Sequence, residues 1–561
     1  MKNQNFKTKN YRTFRSIVLI SFFLSLFFIL GANLYNIQIN EGDSYFKQAF
    51  AQFKFSKNSL TKRGEIYFTD KNGNLSPAAV NKPYKYIYAV PSEISDVKET
   101  SEILSDTLSI DKNKIQDKLL KKNDLYEEII FKVSDYDAEK VKNLNLPGIY
   151  IDSRDARFYP YEKLASHVLG FVGPSGEDDE IKGRYGVESL FNDDLSGSDK
   201  IEGDNVLLPG SSGEDIVLNI DRNIQSKIEE ILERVVVTKK ATAGSIIIQE
   251  PKTGKILALA NYPNFDPNSY SKYPLASFLN SSLQLIYEPG SVMKPITMSA
   301  GIEEKKITPE STFFDKGFLL LNKKKITNFN QTAYGKVSMT DVIGHSINTG
   351  AAYVASLLGK DLFKKFITDF GFSEKTKISL PGEVRGNLKS LDGDNVPEIN
   401  VATASFGQGV AVTPIEMIGA FSAIANGGNI MRPLIFKSEK PEIIRHVVSK
   451  ETTEQVRDMM IQAVLNGKYA EIPKYNVAGK TGTAQISKLK SSGYEENAYI
   501  HTFIGFAPAL DPRFTVLVKI DRPEIGPLAG VTVVPAFKDV MTFLLEYFNV
   551  PPDNLSDIKN N

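Results

Sequence analysis

The sequence predicts an α+β protein in three parts: one N-terminal membrane-spanning helix, a mixed α/β domain, and a C-terminal domain whose sheet is flanked by helices. Three observations predict it. A charge-free apolar run at 16–36 follows a basic tail. From 37 to about 235, short β-prone runs mix with charged amphipathic stretches. From 236 to 550, a pair of apolar strands, a helical middle, further strands and a closing helix succeed one another. At 561 residues the chain is too long for a single ordinary core.

Composition narrows the chemistry. Hydrophobic residues make up 42% and charged residues 24%, which is a globular balance. There is no cysteine, which excludes a thiol nucleophile, disulfides and cysteine-ligated metal. The four histidines, His167, His345, His446 and His501, include no pair at metal-ligand spacing, so no metal and no cofactor are expected. Lys2, Lys7, Lys9, Arg12 and Arg15 carry five of the 67 basic residues. The remaining 62 face 67 acids, a formal charge of −5 that suggests no nucleic-acid partner.

Each part has its own signals. About 20 apolar residues cross a bilayer as a helix, and the basic tail at 1–15 places the amino terminus in the cytoplasm. The run is long for a cleaved signal peptide, and Leu30-Gly31-Ala32 is a poor cleavage site. Everything after it is then extracytoplasmic. In the segment 37–235, solvated helices are expected over 106–120 and 138–144. Arg63, Glu65, Arg157, His167, Arg184 and Glu188 are read there as members of structural ion pairs. A strand at 215–221 and a helix at 224–237 lead into the last domain.

That domain, 236–550, opens with strands at 243–249 and 255–261 around a turn at 251–254. Helices are expected over 339–344, 349–358 and 361–370, strands over 475–484, 500–507 and 514–520, and a last helix over 534–548. The tail at 551–561 is polar and read as loose.

The chemistry centres on Tyr287-Glu288-Pro289-Gly290-Ser291-Val292-Met293-Lys294-Pro295. A helix beginning at Gly290-Ser291 stacks Lys294 beside the Ser291 hydroxyl, because residues three apart share a face. A serine needs an adjacent base, and a lysine desolvated near another cation can act as one. The spacing alone is common: it recurs at Ser44/Lys47, Ser59/Lys62, Ser269/Lys272, Ser487/Lys490 and Ser556/Lys559. Ser291 is set apart by its turn and by two later motifs, Ser346-Ile347-Asn348 and then Lys480-Thr481-Gly482-Thr483. Taken alone, Ser346 and Asn348 read as a helix cap. An earlier lysine-threonine-glycine, Lys252-Thr253-Gly254, sits at the hairpin tip and is read as turn geometry.

With serine-x-x-lysine, serine-x-asparagine and lysine-threonine-glycine in that order, the chain resembles the class B penicillin-binding proteins, monofunctional peptidoglycan D,D-transpeptidases. The resemblance extends through Arg63-Gly64-Glu65-Ile66, Arg157 to Pro160, Gly186-Val187-Glu188, Tyr262 to Asn268, Phe406-Gly407-Gln408-Gly409 and Phe503 to Pro508. Glu288-Pro289-Gly290-Ser291 and Ser346 to Ala352 look most like the septal, division-specific branch. The stretch Ile66 to Gly73 departs from the family's usual start.

The resemblance implies an elongated pedestal or dimerisation-type domain at 37–235 and a β-lactamase-like transpeptidase domain with an antiparallel sheet at 236–550. It implies Ser291 as the acylated nucleophile, Lys294 as its base, Ser346 as proton relay and Asn348 as a contact to donor peptide and Lys294. Lys480 would keep the site positive, and Thr481 and Thr483, with Gly482 between them, would grip the substrate carboxylate. The backbone N–H groups of Ser291 and Thr483 would form the oxyanion hole. Implied partners are peptidoglycan stem peptides, β-lactams as covalent inhibitors, and a polytopic glycan polymerase with other division proteins in the bacterial inner membrane.

Three rival readings share these residues. A secreted serine β-lactamase would need a deacylating glutamate, for which Glu383 is the only nearby candidate. A β-lactam sensor would usually carry several spans and a cytoplasmic effector. A silent division scaffold would be expected to have lost Ser291, Lys294 or Lys480.

Overall fold

The computed structural model describes residues 4–40, 62–122, 124–175, 180–202, 206–329, 331–468, 470–488 and 493–554. The expected loose tail beyond 554 lies outside them, as does at least one member of the pairs Ser44/Lys47, Ser59/Lys62, Ser487/Lys490 and Ser556/Lys559.

At the amino terminus a helix spans Gln4–Tyr35 and passes into a π turn at Asn36–Asn40. Phe14–Ile39 is long and apolar enough to cross a membrane, the one such stretch among the described residues. Its Phe27 and Phe28 are exposed. Each such side chain gains about 1.5–3 kcal/mol on leaving water, and a helix satisfies its own backbone groups in hydrocarbon. The sequence therefore favours a bilayer around this helix.

One compact unit comprises Met1–Lys62, Asn81–Ala156 and Gly197–Ser212. The end of the strand Leu75–Ala89 pairs there with Glu127–Val133 and Ile149–Phe158. Strand alternation sends Ile87 and Ala89 into a core with Leu104, Ile115, Leu119, Ala138 and Val141, contributed by three helices. Tyr88 takes the opposite face, stacked with Tyr126 and Tyr150 at ring-centroid distances of 4.9 and 5.4 Å. The helix expected over 106–120 is a correction: two helices, Val97–Leu108 and Lys112–Leu119, meet there. Ser109 turns left-handed (φ 55°) and ends the first, and the Asp111 carboxylate caps the second by accepting from Asn113 N–H. The expected helix at 138–144 is Asp135–Asn143, capped by Ser134.

The other unit comprises Arg63–Val80, Arg157–Ser196 and Gly213–Asn561. Its centre is an antiparallel five-stranded sheet in the order Ile256–Tyr262, Ala243–Gln249, Phe514–Asp521, Tyr494–Ala507, Ala478–Ser487. Ile246, Ile248, Val516 and Val518 pack under the helices Arg222–Lys239 and Ala529–Tyr547. Ile247 and Leu517 face the opposite way, towards the apolar helix Pro414–Ala425 and the remaining helices. The central strands are thus buried on both faces, which fixes their register because a one-residue slip would exchange the two cores.

Two boundaries in this unit differ from expectation. The strand expected from 475 begins at Ala478, because Asn476 gives its backbone N–H to the Asp553 carboxylate (2.7 Å) rather than to a ladder. The last helix begins at Ala529 instead of 534 and holds Pro535 inside it. Proline there deprives only the Val531 carbonyl of an intrahelical partner, and Val531 is exposed, so water can replace it.

Arg63, Arg157 and Glu188 form the expected ion pairs. Glu188 is fully buried and takes Arg157 Nε on one oxygen (2.5 Å) and Arg63 Nη2 on the other (2.7 Å). Arg157 Nη1 also donates to the Gly64 carbonyl (2.7 Å). His167 departs from that expectation: it has no acidic partner among the described residues, its Nε2 lies 3.0 Å from the Ser277 carbonyl, and burial lowers its pKa to about 4. Arg184 donates to the Pro174 carbonyl, and Glu65 accepts from the Tyr67 hydroxyl. Lys252-Thr253-Gly254 is the hairpin turn it was expected to be. Gly254 has φ 82° and donates to the Glu250 carbonyl, while Lys252 pairs at the surface with Asp511.

Candidate active site

Pro289 and Gly290 turn the chain from the bridge of Tyr287 with Val412 into a 3-10 turn, Gly290–Met293, which runs directly into the helix Lys294–Glu303. A 3-10 turn has three residues per turn, so residues i and i+3 eclipse. Lys294 is thereby set over Ser291 by backbone geometry before any tertiary contact is made. Gly290 has φ 62°, and a Cβ there would approach Ala484 Cβ to 3.1 Å. Gly407 lies closer still: its carbonyl accepts the Gly290 N–H at 3.0 Å, and a Cβ on it would strike the Gly290 carbonyl at 2.2 Å. These two glycines let the turn press against the strand Ala478–Ser487 and the 404–407 turn.

Four oxygens surround Lys294 Nζ. They are Ser291 Oγ at 3.0 Å, Ser346 Oγ at 3.0 Å, the Ser346 carbonyl at 2.6 Å and Asn348 Oδ1 at 2.8 Å. The carbonyl and the amide oxygen can only accept, so they take the two N–H bonds of a neutral amine. The lone pair is then left facing two hydroxyls, each able to donate. Lys294 is fully buried, and its pKa is driven well below the usual lysine range, first by burial and then by the charge of Lys480. Both causes act in favour of the neutral amine. Ser291 itself is half-buried and open to approach.

The helix-cap reading of Ser346 and Asn348 is overturned. Ile347 occupies the N-cap of the helix Asn348–Leu358 and no side chain caps it. Ser346 sits in the connection, as expected, but with φ 58°, the left-handed conformation that side-chain-bearing residues disfavour. Both its hydroxyl and its carbonyl thereby reach Lys294. Asn348 uses its other end to donate from Nδ2 to the Thr327 carbonyl (3.0 Å).

The strand Ala478–Ser487 supplies the opposite wall. Lys480 is buried and its pKa falls to about 8 through desolvation. Its Nζ donates to the Thr481 carbonyl (3.2 Å) and hydroxyl (3.3 Å). Thr483 Oγ1 accepts from Ala529 N–H at 3.3 Å, which leaves its own O–H available to an incoming acceptor. Gly482 lies against the turn: a Cβ there would meet the Pro289 carbonyl at 2.9 Å.

Three participants carry no role that the sequence alone suggests. Glu288, partly buried beside the nucleophile turn, accepts from the Tyr494 hydroxyl (3.0 Å), and burial raises its pKa. Its position next to Pro289-Gly290 is the signal that could have found it. Thr327 and Asn328 are recognisable only through their contacts to Asn348 and Thr349. Glu383, the candidate deacylating base, is tied down: its Oε1 accepts from both the N–H (2.6 Å) and the hydroxyl (2.5 Å) of Thr376.

The chain matches the family described as penicillin binding protein transpeptidase domain over residues 244–542, and the penicillin-binding protein dimerisation domain over residues 59–214. It is similar to Stage V sporulation protein D of Bacillus subtilis, with 32% identity over 96% of this chain and 86% of that protein. The probable peptidoglycan D,D-transpeptidase PbpC of Pseudomonas aeruginosa is 29% identical over 97% of each chain. The peptidoglycan D,D-transpeptidase FtsI of Escherichia coli is 28% identical over 95% of this chain and 91% of that one.

Proposed function

Given that the chain belongs to the penicillin-binding protein transpeptidase family, we propose that it is a peptidoglycan D,D-transpeptidase that cross-links stem peptides through an acyl-enzyme on Ser291. The observation that carries this reading is the coordination of Lys294: two obligate acceptors hold its N–H bonds and its remaining valence meets the hydroxyls of Ser291 and Ser346.

Each step uses a group of that arrangement. Ser291 Oγ attacks the carbonyl carbon of the penultimate D-alanine as its proton passes to Lys294 Nζ. The oxyanion of the tetrahedral intermediate is held by the backbone N–H groups of Ser291 and Thr483. The proton moves from Lys294 through the Ser346 hydroxyl to the leaving nitrogen, the peptide bond breaks and free D-alanine departs. An amine of a neighbouring stem attacks the ester, gives up a proton along the same path and releases Ser291. Until D-alanine departs, Thr481, Thr483 and the positive charge of Lys480 hold its carboxylate. β-Lactams acylate Ser291 in place of the donor peptide.

The N-terminal helix anchors the chain in the membrane, with the five basic residues of the tail in the cytoplasm and the catalytic unit outside. A polytopic glycan polymerase is its partner there. Glu288-Pro289-Gly290-Ser291 and Ser346 to Ala352 support a role at the division septum. The relative named for a sporulation stage favours a second reading, wall synthesis during sporulation. Depletion separates the two: filamentous growing cells support the septal role, and normal division with defective spores supports the other.

The enzymatic reading is tested by labelling the full-length chain in detergent with a fluorescent penicillin. A stable band is expected in the wild type and in neither Ser291→Ala nor Lys294→Ala. A folded wild type that gives no band, even at millisecond sampling, would favour a silent scaffold. A band that disappears within minutes would favour a β-lactamase, against which the engagement of Glu383 by Thr376 already speaks.

A further inference from the structure

Behind Asn348 lies a buried carboxylate that no step of acyl transfer uses. Asp315 closes the strand Thr312–Asp315 and is 1% exposed. Its Oδ1 accepts from the Thr349 hydroxyl (2.7 Å) and Gly317 N–H (2.8 Å), and its Oδ2 from Asn328 Nδ2 (2.8 Å) and Tyr334 N–H (2.9 Å). These four donors are all neutral. Burying a carboxylate is costly unless its lone pairs are filled, and here they are filled by groups from four separate places in the chain.

Two of those places adjoin Asn348 and its partner Thr327, and the other two flank the hairpin that carries Thr327. Thr349 is the next residue on the same helix, fully buried. Asn328 follows Thr327, whose carbonyl takes the Asn348 Nδ2 proton, and Asn328 Oδ1 lies 3.3 Å from both the N–H and the hydroxyl of Thr349. Gly317 and Tyr334 bracket the hairpin Phe318–Leu321 and Lys324–Thr327 that brings Thr327 into place. The start of the Asn348 helix and the segment of Thr327 therefore meet directly and are also both bonded to one carboxylate, Asp315. Asn348 is held from behind at Nδ2 and presents Oδ1 to Lys294 at 2.8 Å.

We propose that Asp315 is a positioning residue for acylation: with Thr349 and Asn328 it fixes the Asn348 amide, and through it the direction of the Lys294 lone pair towards Ser291. The inference rests on the reading of Ser291 and Lys294 as the acylating pair. Asp315 touches no reacting atom. Its effect falls mainly on the rate of the covalent step: the carboxylate grip of Thr481 and Thr483 belongs to a different strand, and capture of the ligand changes only by what the Asn348 contact contributes.

The test uses the full-length chain in detergent and benzylpenicillin, with quenched time courses that separate the initial dissociation constant from the acylation rate constant per folded molecule. Thr349→Val removes one of the four donors and is expected to slow acylation about tenfold. Asp315→Asn turns a donor toward groups that themselves donate and is expected to slow it about a hundredfold, the scale of an ångström-sized misplacement. The dissociation constant should stay within about twofold in both, and Thr349→Ser, which keeps the hydroxyl, should restore the wild-type rate. Unchanged acylation in Thr349→Val would overturn the proposal, as would a loss that only tracks the folded fraction, or a Thr349→Ser rate as low as that of Thr349→Val. If Asp315→Asn does not fold, the two Thr349 variants decide alone. A wild type that is never acylated would instead overturn the reading of Ser291 and Lys294.

Discussion

Two buried cationic clusters in the same compact unit use opposite chemistry. Arg63 and Arg157 meet the fully buried Glu188 with carboxylate oxygens at 2.5–2.9 Å. Lys294 is as deeply buried, yet its hydrogen-bond partners are hydroxyl, carbonyl and amide oxygens, with no acid among them. A guanidinium offers no lone pair at any working pH, so two arginines on one carboxylate serve to hold elements together. Lysine can lose its proton, and burial without a counter-anion moves it in that direction. A buried cation with a carboxylate is structural here; one left among neutral acceptors is available for proton transfer.

The comparison breaks most sharply at the base itself. Lys294→Arg keeps the positive charge and most of the volume but cannot supply a neutral amine. Acylation by penicillin should fall by about 10²–10⁴, the usual contribution of a general base, while the protein stays folded by circular dichroism. A Lys294→Arg variant that acylated within tenfold of wild type would mean that charge, and not a lone pair, is what the site requires.

The reciprocal change falls on Glu188. Glu188→Gln leaves two guanidinium groups facing an amide in a fully buried position. Removing one partner of a buried ion pair costs about 3–5 kcal/mol, so the melting temperature should drop by several degrees. The acylation rate constant of the molecules that remain folded should not change. A selective loss of that rate constant with unaltered melting would put the cluster in the catalytic machinery and dissolve the distinction.

Protonation gives a finer test. Lys294 must be neutral to accept the serine proton, so activity is lost as pH falls through its depressed pKa and is retained above it. Lys480 must be charged to attract the carboxylate, and its pKa of about 8 means that this charge is present below that value and disappears above it. The acylation efficiency of the wild type should therefore be bell-shaped, with an alkaline limb near pH 8. Lys480→Arg should flatten the alkaline limb and leave the acid limb in place. An alkaline limb that persists near pH 8 in that variant would assign it to another group.

The sequence made some of this legible and not the rest, for physical reasons. Ser291 and Lys294 could be paired because a helical turn is a local object and three residues determine the contact. Lys480 could be placed on a strand because apolar alternation around it is local too. Asp315, Asn328 and Thr349 could not be assembled, since the bonds joining them span 13, 21 and 34 residues. The same limit applies to Ser346 and Asn348: the left-handed Ser346 ends the helix Met339–Gly344 through local bonds, Ser346 N–H to the Ile343 carbonyl (3.3 Å) and Ile347 N–H to the Val342 carbonyl (2.9 Å), and it is the contact of Ser346 and Asn348 with Lys294 that is long-range. The break between the two helices at 97–119 depends on the left-handed Ser109 followed by the Asp111 cap, and the strand start at Ala478 on a bond from Asn476 to Asp553, none of which periodicity registers.

The smallest expected effect separates the two lysine-threonine-glycine sequences. Lys480 is 4% exposed, whereas the Lys252 side chain is 55% exposed and pairs with Asp511, itself 72% exposed. Surface pairs of this kind contribute roughly 0.2–1 kcal/mol, and high salt screens them further. Lys252→Ala should change the melting temperature by a degree or less and leave both penicillin binding and acylation at wild-type values. Gly254→Ala at the same turn should cost more, because φ is 82° and a Cβ would strike the Arg432 carbonyl at 2.2 Å. A lysine that matters less than its neighbouring glycine marks a sequence selected for backbone shape. At 480–482 the order should invert for activity, with Lys480→Ala impairing acylation, and an equal response of the two lysines would leave burial and charge environment unable to tell the motif from its copy.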